Sequence, residues 1–134
     1  MKLMNVVLSA IAINVVTMSA SYAGLEKGAN ELGGFVGRYD VLRNMMCKSY
    51  PTPHMNKFVK VNEKLFANQS SYIKHLYKKG KDTSKAEFTF MLNKLKKKNP
   101  NTFKPAPKLK SQCVEVDLDA KTNYDQFAMT GIYN

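Results

Sequence analysis

Apolar residues recur at helical spacing through the middle of the chain. Between about Ala29 and Ser49 they fall at Leu32, Phe35, Val36, Tyr39, Leu42, Met45 and Met46. These are the i, i+3, i+4, i+7 positions of one helix face. Gly33, Gly34 and Gly37 interrupt that stripe. Glycine costs up to about 1 kcal/mol against alanine in a helix interior, so the helix either begins after Gly34 or includes the glycines for a reason. If it includes them, Gly33 and Gly37 form a smooth patch where another backbone can approach closely.

Tyr50-Pro51-Thr52-Pro53 breaks the pattern, because each residue before a proline is pushed out of helical space. Thr52 then suits an N-cap, with Pro53 at the first helical position. A second helix is predicted from there to about Lys79, with Met55, Phe58, Val59, Val61, Leu65, Phe66, Tyr72, Ile73, Leu76 and Tyr77 as its apolar set. Gly80 reads as its stop signal. Ser84-x-x-Glu87 has the form of a capping box and opens a predicted third helix through Phe88, Met91, Leu92 and Leu95. Asn99-Pro100 ends it, and Asn99 to Lys110 reads as a loop. In the last segment Val114, Val116 and Leu118 alternate with Glu115, Asp117 and Asp119, a strand-like pattern. No second strand exists to pair with it, so helix or irregular structure is favoured over a short strand. The expected fold is mostly α: a small single-domain helical bundle of three to four helices.

The N-terminus changes where this domain is expected to work. Lys2 precedes an apolar run from Leu3 to Met18, and Ser21 and Ala23 place small residues at the minus-three and minus-one positions of a cleavage site. That is the layout of an export signal. The run is too short and too interrupted for a comfortable membrane span of about 20 apolar residues. Residues 1–23 are therefore expected to be a cleavable signal peptide and residues 24–134 a mature helical domain, periplasmic or secreted and not transmembrane. In that oxidising setting Cys47 and Cys113 are expected to form one disulfide, tying the first helix to the C-terminal segment.

Charge adds a second asymmetry. The chain carries +11, with 19 lysines against 2 arginines. Between Lys74 and Lys110 there are 12 lysines and two acids, Asp82 and Glu87; from Val114 onward four acids face only Lys121. A basic segment of this kind meets an acidic protein, an anionic envelope component or nucleic acid. Outside the cytoplasm the nucleic-acid reading falls away, and the arginines and stacking aromatics that base recognition favours are missing. The candidate partner- or anion-binding set is Lys74, Lys78, Lys79, Lys81, Lys94, Lys96, Lys97 and Lys98. Against it stand two plainer readings: lysines that merely solvate outer helix faces, and an acidic tail that folds back on the basic region. If the host were eukaryotic, Asn68-Gln69-Ser70 would be a glycosylation sequon.

No catalytic motif emerges. His54 and His75 have no carboxylate or cysteine at ligand spacing. Met45, Met46, Cys47, His54 and Met55 cluster in sequence and would suit a soft metal, but methionine on a helix face is ordinary core filling and Cys47 is expected to be bridged. Gly33-Gly34-Phe35-Val36-Gly37 lacks the lysine and preceding strand of a phosphate loop. No metal, cofactor or catalytic residue is therefore assigned. The leading expectation is non-catalytic binding to a protein partner, of inhibitor, immunity or chaperone type, through a helix face and the lysine-rich segment. The alternatives are a cell-envelope factor binding anionic polymers or lipids, and an enzyme with an unrecognised site.

Overall fold

The structure, a computed structural model, describes residues 25–134; the expected signal peptide lies outside the described residues. Four helices run in order: α1 (Leu25–Val41), α2 (Pro53–Ala67), α3 (Ser71–Lys98) and α4 (Pro107–Met129). A five-residue π-helical turn, Leu42–Met46, continues α1. No strand occurs among the described residues. The small helical bundle expected from the periodicity is what forms.

α1 includes its glycines, and the reason is α3. A Cβ built on Gly33 would lie 2.1 Å from the Tyr77 carbonyl oxygen, and one on Gly37 would lie 2.4 Å from that of Lys81. Across the same crossing, a Cβ on Gly80 would lie 2.1 Å from the Asn30 carbonyl oxygen. Small residues four apart on both helices let the two backbones touch, and dispersion contacts over that seam replace the lost helix propensity. The sequence reading of Gly80 as a stop signal is thereby corrected: α3 passes through it, and through Ser84, without a break. Ser84 is buried at the crossing and opens no new helix. The actual break falls at Asn68-Gln69-Ser70. There the Ser70 side chain accepts the Ile73 N–H at 3.3 Å, capping a 28-residue helix.

The C-terminal segment is helical, which removes the short-strand alternative. Its inward positions are Leu109, Cys113, Val116, Ala120 and Phe127, at helical spacing, with Gln112, Asp117 and Asn123 beside them. Val114 and Leu118 face outward, so the apparent alternation mixed two helix faces. An aromatic group from three helices fills the centre: Tyr39 lies 5.1 Å from Phe58, and Phe35 lies 5.8 Å from Phe127, both edge-on. The buried Tyr39 hydroxyl accepts the Asn123 side-chain N–H at 2.5 Å. Burial raises the Tyr39 phenol far above its ordinary range, so it stays neutral.

Cys47 and Cys113 form the expected disulfide, with their Cα atoms 5.7 Å apart. The π-helical turn bears on this. Its Cys47 N–H reaches back to the Leu42 carbonyl at 2.9 Å, a five-residue step, and the cysteine follows directly, turned toward α4. Met46 and Met55 are fully buried core residues beside it.

Candidate functional site

All eight candidate lysines lie on α3, and the fold divides them into two groups. On the half of α3 that crosses α1, several cations are already matched. Lys78 pairs with Asp82 at 2.6 Å across one helical turn. Lys81 pairs with Glu63 of α2, which also accepts the Tyr77 hydroxyl at 2.6 Å. Lys79 borders a groove described below, and Lys74 is exposed near the start of α3.

The other group is different. Lys94, Lys96, Lys97 and Lys98 are exposed, and none joins an ion pair among the described residues. The local sequence explains this: no acid lies between Glu87 and Glu115. The cations also sit in the last turns of α3, where the helix dipole favours them. No ion pair joins an α4 acid to these lysines among the described residues. Asp125 pairs with Lys121 on its own helix, and Asp117 points inward.

Phe90 stands in the middle of this cationic face. It is 70% exposed, an unusual state for a large aromatic side chain. Lys94 and Lys97 follow it by four and seven residues, on the same helix face. Phe90, Asn93, Lys94, Lys97 and Lys98 line one open depression of about 520 Å³. The arrangement is an apolar ring surrounded by unpaired ammonium groups. It can insert the ring into a partner while the lysines meet carboxylates or phosphates around it. The lysine run was legible in the sequence. Phe90 was not singled out, because its register became clear only once α3 was one continuous helix.

A second feature, also missed, lies where α1 and α3 cross. Arg38 is flanked by two rings, its Cζ 5.4 Å from the Phe35 centroid and 5.7 Å from that of Phe88. Glu31 and Glu87 line the same groove of about 370 Å³. Burial lowers the Arg38 guanidinium, and Glu87, Tyr39 and Glu31 oppose that effect. Burial raises the Glu31 carboxyl, and Arg38 opposes it; Glu87 exerts no comparable influence on it. Arg38 thus sits electrically between the two acids, which do not form a coupled carboxylate dyad of the kind acid–base catalysis uses. A lone arginine in a lysine-rich chain carries no sequence signal beyond its rarity.

The histidines do not join either feature. His54 starts α2 and His75 is exposed on α3. Among the described residues no group of three or more His, Cys, Asp or Glu side chains is placed to share a metal ion. None of the described helices is long and apolar enough to cross a membrane. Comparison with protein-family models, with curated proteins and with solved structures finds no match.

Proposed function

We propose that this is an exported, non-catalytic binding protein that docks on an acidic protein through the C-terminal half of α3. The observation that carries the reading is Phe90, exposed and ringed by unpaired lysines. Interfaces concentrate their energy in a few buried aromatic anchors, while surrounding charges steer the encounter. An interfacial membrane helix needs a broad apolar face. Here the opposite side of α3 is committed to α1 and the core, and one ring projects from the outer side. An acidic protein with an apolar pocket fits that geometry better than a lipid surface does. The inhibitor, immunity and chaperone types all bind in this way.

The test is capture of partners from an envelope extract by the wild type, Phe90→Ala and Lys94→Ala/Lys97→Ala, at low and high salt. The reading expects one acidic protein retained by the wild type, released by salt and lost in both variants. Retention that ignores Phe90→Ala counts against the anchor. Co-sedimentation with anionic vesicles in place of protein capture favours the envelope-polymer or lipid alternative. Export itself is tested by N-terminal sequencing of the protein recovered from intact cells, with Gly24 as the expected first residue.

A further inference from the structure

The strongest unassigned feature is at the start of α4, away from Phe90. α4 opens with Pro107 at its first position, after Ala106, whose side chain supplies no cap. Proline has no N–H. The first intrahelical bond runs from the Lys110 N–H to the Ala106 carbonyl at 2.9 Å. The N–H groups of Lys108 and Leu109 therefore have no backbone acceptor, and no side chain among the described residues accepts from them. Free N–H groups at a helix start carry the positive end of the dipole and attract anions.

A second observation points the same way. Gln112, one turn on, is only 6% exposed, yet its side-chain amide makes no hydrogen bond among the described residues. It is also absent from the polar atoms that are both fully enclosed and unpartnered, which are Arg38 Nε and Asn123 Oδ1. The Gln112 amide therefore opens onto a space, and that space is a cavity of about 330 Å³ that it lines at the start of α4. A buried amide without a partner is costly, which makes it a mark of a site that something polar completes. Lys98, Lys104 and Lys108 border the same cavity, while Leu95 and Leu109 supply an apolar wall.

We infer that this cavity binds a phosphate ester. Three ammonium groups, two backbone N–H groups and the Gln112 amide offer more donors than a carboxylate has oxygens to use. The volume exceeds that of a bare phosphate, and the leucine wall accommodates an attached organic group. The loop Asn99–Ala106 forms the other side. It is held in place at Ala106, whose N–H donates to the Tyr50 hydroxyl at 2.8 Å and whose carbonyl accepts from it at 3.1 Å. Such a phosphate is carried either by a free small molecule or by an envelope lipid.

Amide resonances of the whole protein are followed while glycerol 3-phosphate is added at low ionic strength, with vesicles of phosphatidylglycerol as a second arm. The expected result is saturable shifts at Lys108, Leu109 and the Gln112 side chain, with affinity reduced at least about tenfold in Lys108→Met and unchanged in Lys97→Met. Gln112→Leu gives a second variant; Lys108→Met keeps the test valid if that one folds poorly, because Lys108 is exposed. Saturable shifts with glycerol 3-phosphate alone identify a free ester, and displacement of it by the vesicles identifies a lipid headgroup. Absence of saturable shifts with both probes overturns the inference. So does equal weakening by Lys97→Met and Lys108→Met, which would show only diffuse charge attraction. Lys97 belongs to the Phe90 face and not to this cavity, so failure here leaves the docking reading standing.

Discussion

The carboxylate of Asp117 in α4 caps the start of α2: its Oδ1 accepts the Met55 N–H at 2.8 Å, and its Oδ2 accepts the His54 N–H at 3.2 Å. Thr52 stands at the N-cap position, but its hydroxyl donates to Asn56 and makes no cap bond. A buried acid from 62 residues away thus replaces the local cap. It satisfies two orphan donors at the positive end of a helix dipole. Asp117→Ala is expected to cost about 2–3 kcal/mol, the sum of a lost cap and a buried unsatisfied N–H. Asp117→Asn, which keeps one acceptor, is expected to cost about half as much. Urea unfolding midpoints measure both. A loss below about 0.5 kcal/mol for Asp117→Ala would show that water replaces the carboxylate.

The α1–α3 crossing makes a paired prediction about glycines. Alanine at Gly80 gains up to about 1 kcal/mol of helix propensity but drives its Cβ into the Asn30 carbonyl, which cannot move without displacing α1. The clash wins, and Gly80→Ala is expected to destabilise by about 2–3 kcal/mol. Gly34 is the control. A Cβ there meets only the Ser84 hydroxyl at 3.2 Å, a side-chain atom that can rotate. Gly34→Ala is expected to change stability little. Equal losses at the two positions would mean that the backbones do not meet as closely as described.

These two relationships show where the sequence was readable. The amphipathic stripe of α1, the helical class and the Cys47–Cys113 bridge followed from spacing and compartment chemistry, which are local or pairwise signals. The glycine patch was legible as a possibility, but its partner was not, because Gly80 and Ser84 carry the same letters as a helix stop and a helix cap. Only the third dimension distinguishes a small residue that ends a helix from one that admits a neighbour. α4 was obscured for a related reason: Gln112, Asp117 and Asn123 occupy inward positions while Val114 and Leu118 face out, inverting the usual code. Each inward polar group has a structural task, such as the Asp117 cap and the Asn123 bond to Tyr39. Of the candidate site, the cations were visible and the ring between them was not.

The disulfide yields a third prediction. It closes a sequence separation of 66 residues, so an ideal-chain treatment assigns it about 4 kcal/mol of destabilised unfolded state. Both sulfurs are buried in the core, which limits the gain from removing them. Cys47→Ala/Cys113→Ala is expected to lower the urea midpoint markedly, while the helical circular-dichroism signal of the folded state is kept. The wild type is expected to lose the same stability when reduced in denaturant and allowed to refold. A double variant as stable as the oxidised protein would place the constraint elsewhere, in residual structure of the unfolded chain.

Two acids on α1 are expected to respond to pH in opposite directions. Burial pushes the Asp40 carboxyl up, but hydrogen bonds and charge from Arg43 and Lys85 more than offset it, leaving it below the ordinary carboxylate range. Asp40 accepts Arg43 Nη2 at 2.8 Å and pairs with Lys85 of α3 at 3.2 Å. A depressed folded value means that its contribution is complete above the unfolded value of about 4. That contribution is lost as pH falls through the lower folded value. Glu31 is the reverse: burial holds its carboxyl above the ordinary range, so the folded state favours its protonated form. Its contribution is complete below an unfolded value of about 4.3 and is lost as pH rises through the raised folded value. At neutral pH Asp40→Asn is therefore expected to destabilise by about 1 kcal/mol, a figure already reduced for partial solvent screening. Under the same conditions Glu31→Gln is expected to be neutral or slightly stabilising. On acidification toward about pH 3, the penalty of Asp40→Asn should shrink and any gain from Glu31→Gln should vanish. Thermal melts of the three proteins across this range decide the matter: a penalty for Asp40→Asn that grows on acidification would reverse the sign of the Arg43 and Lys85 effect.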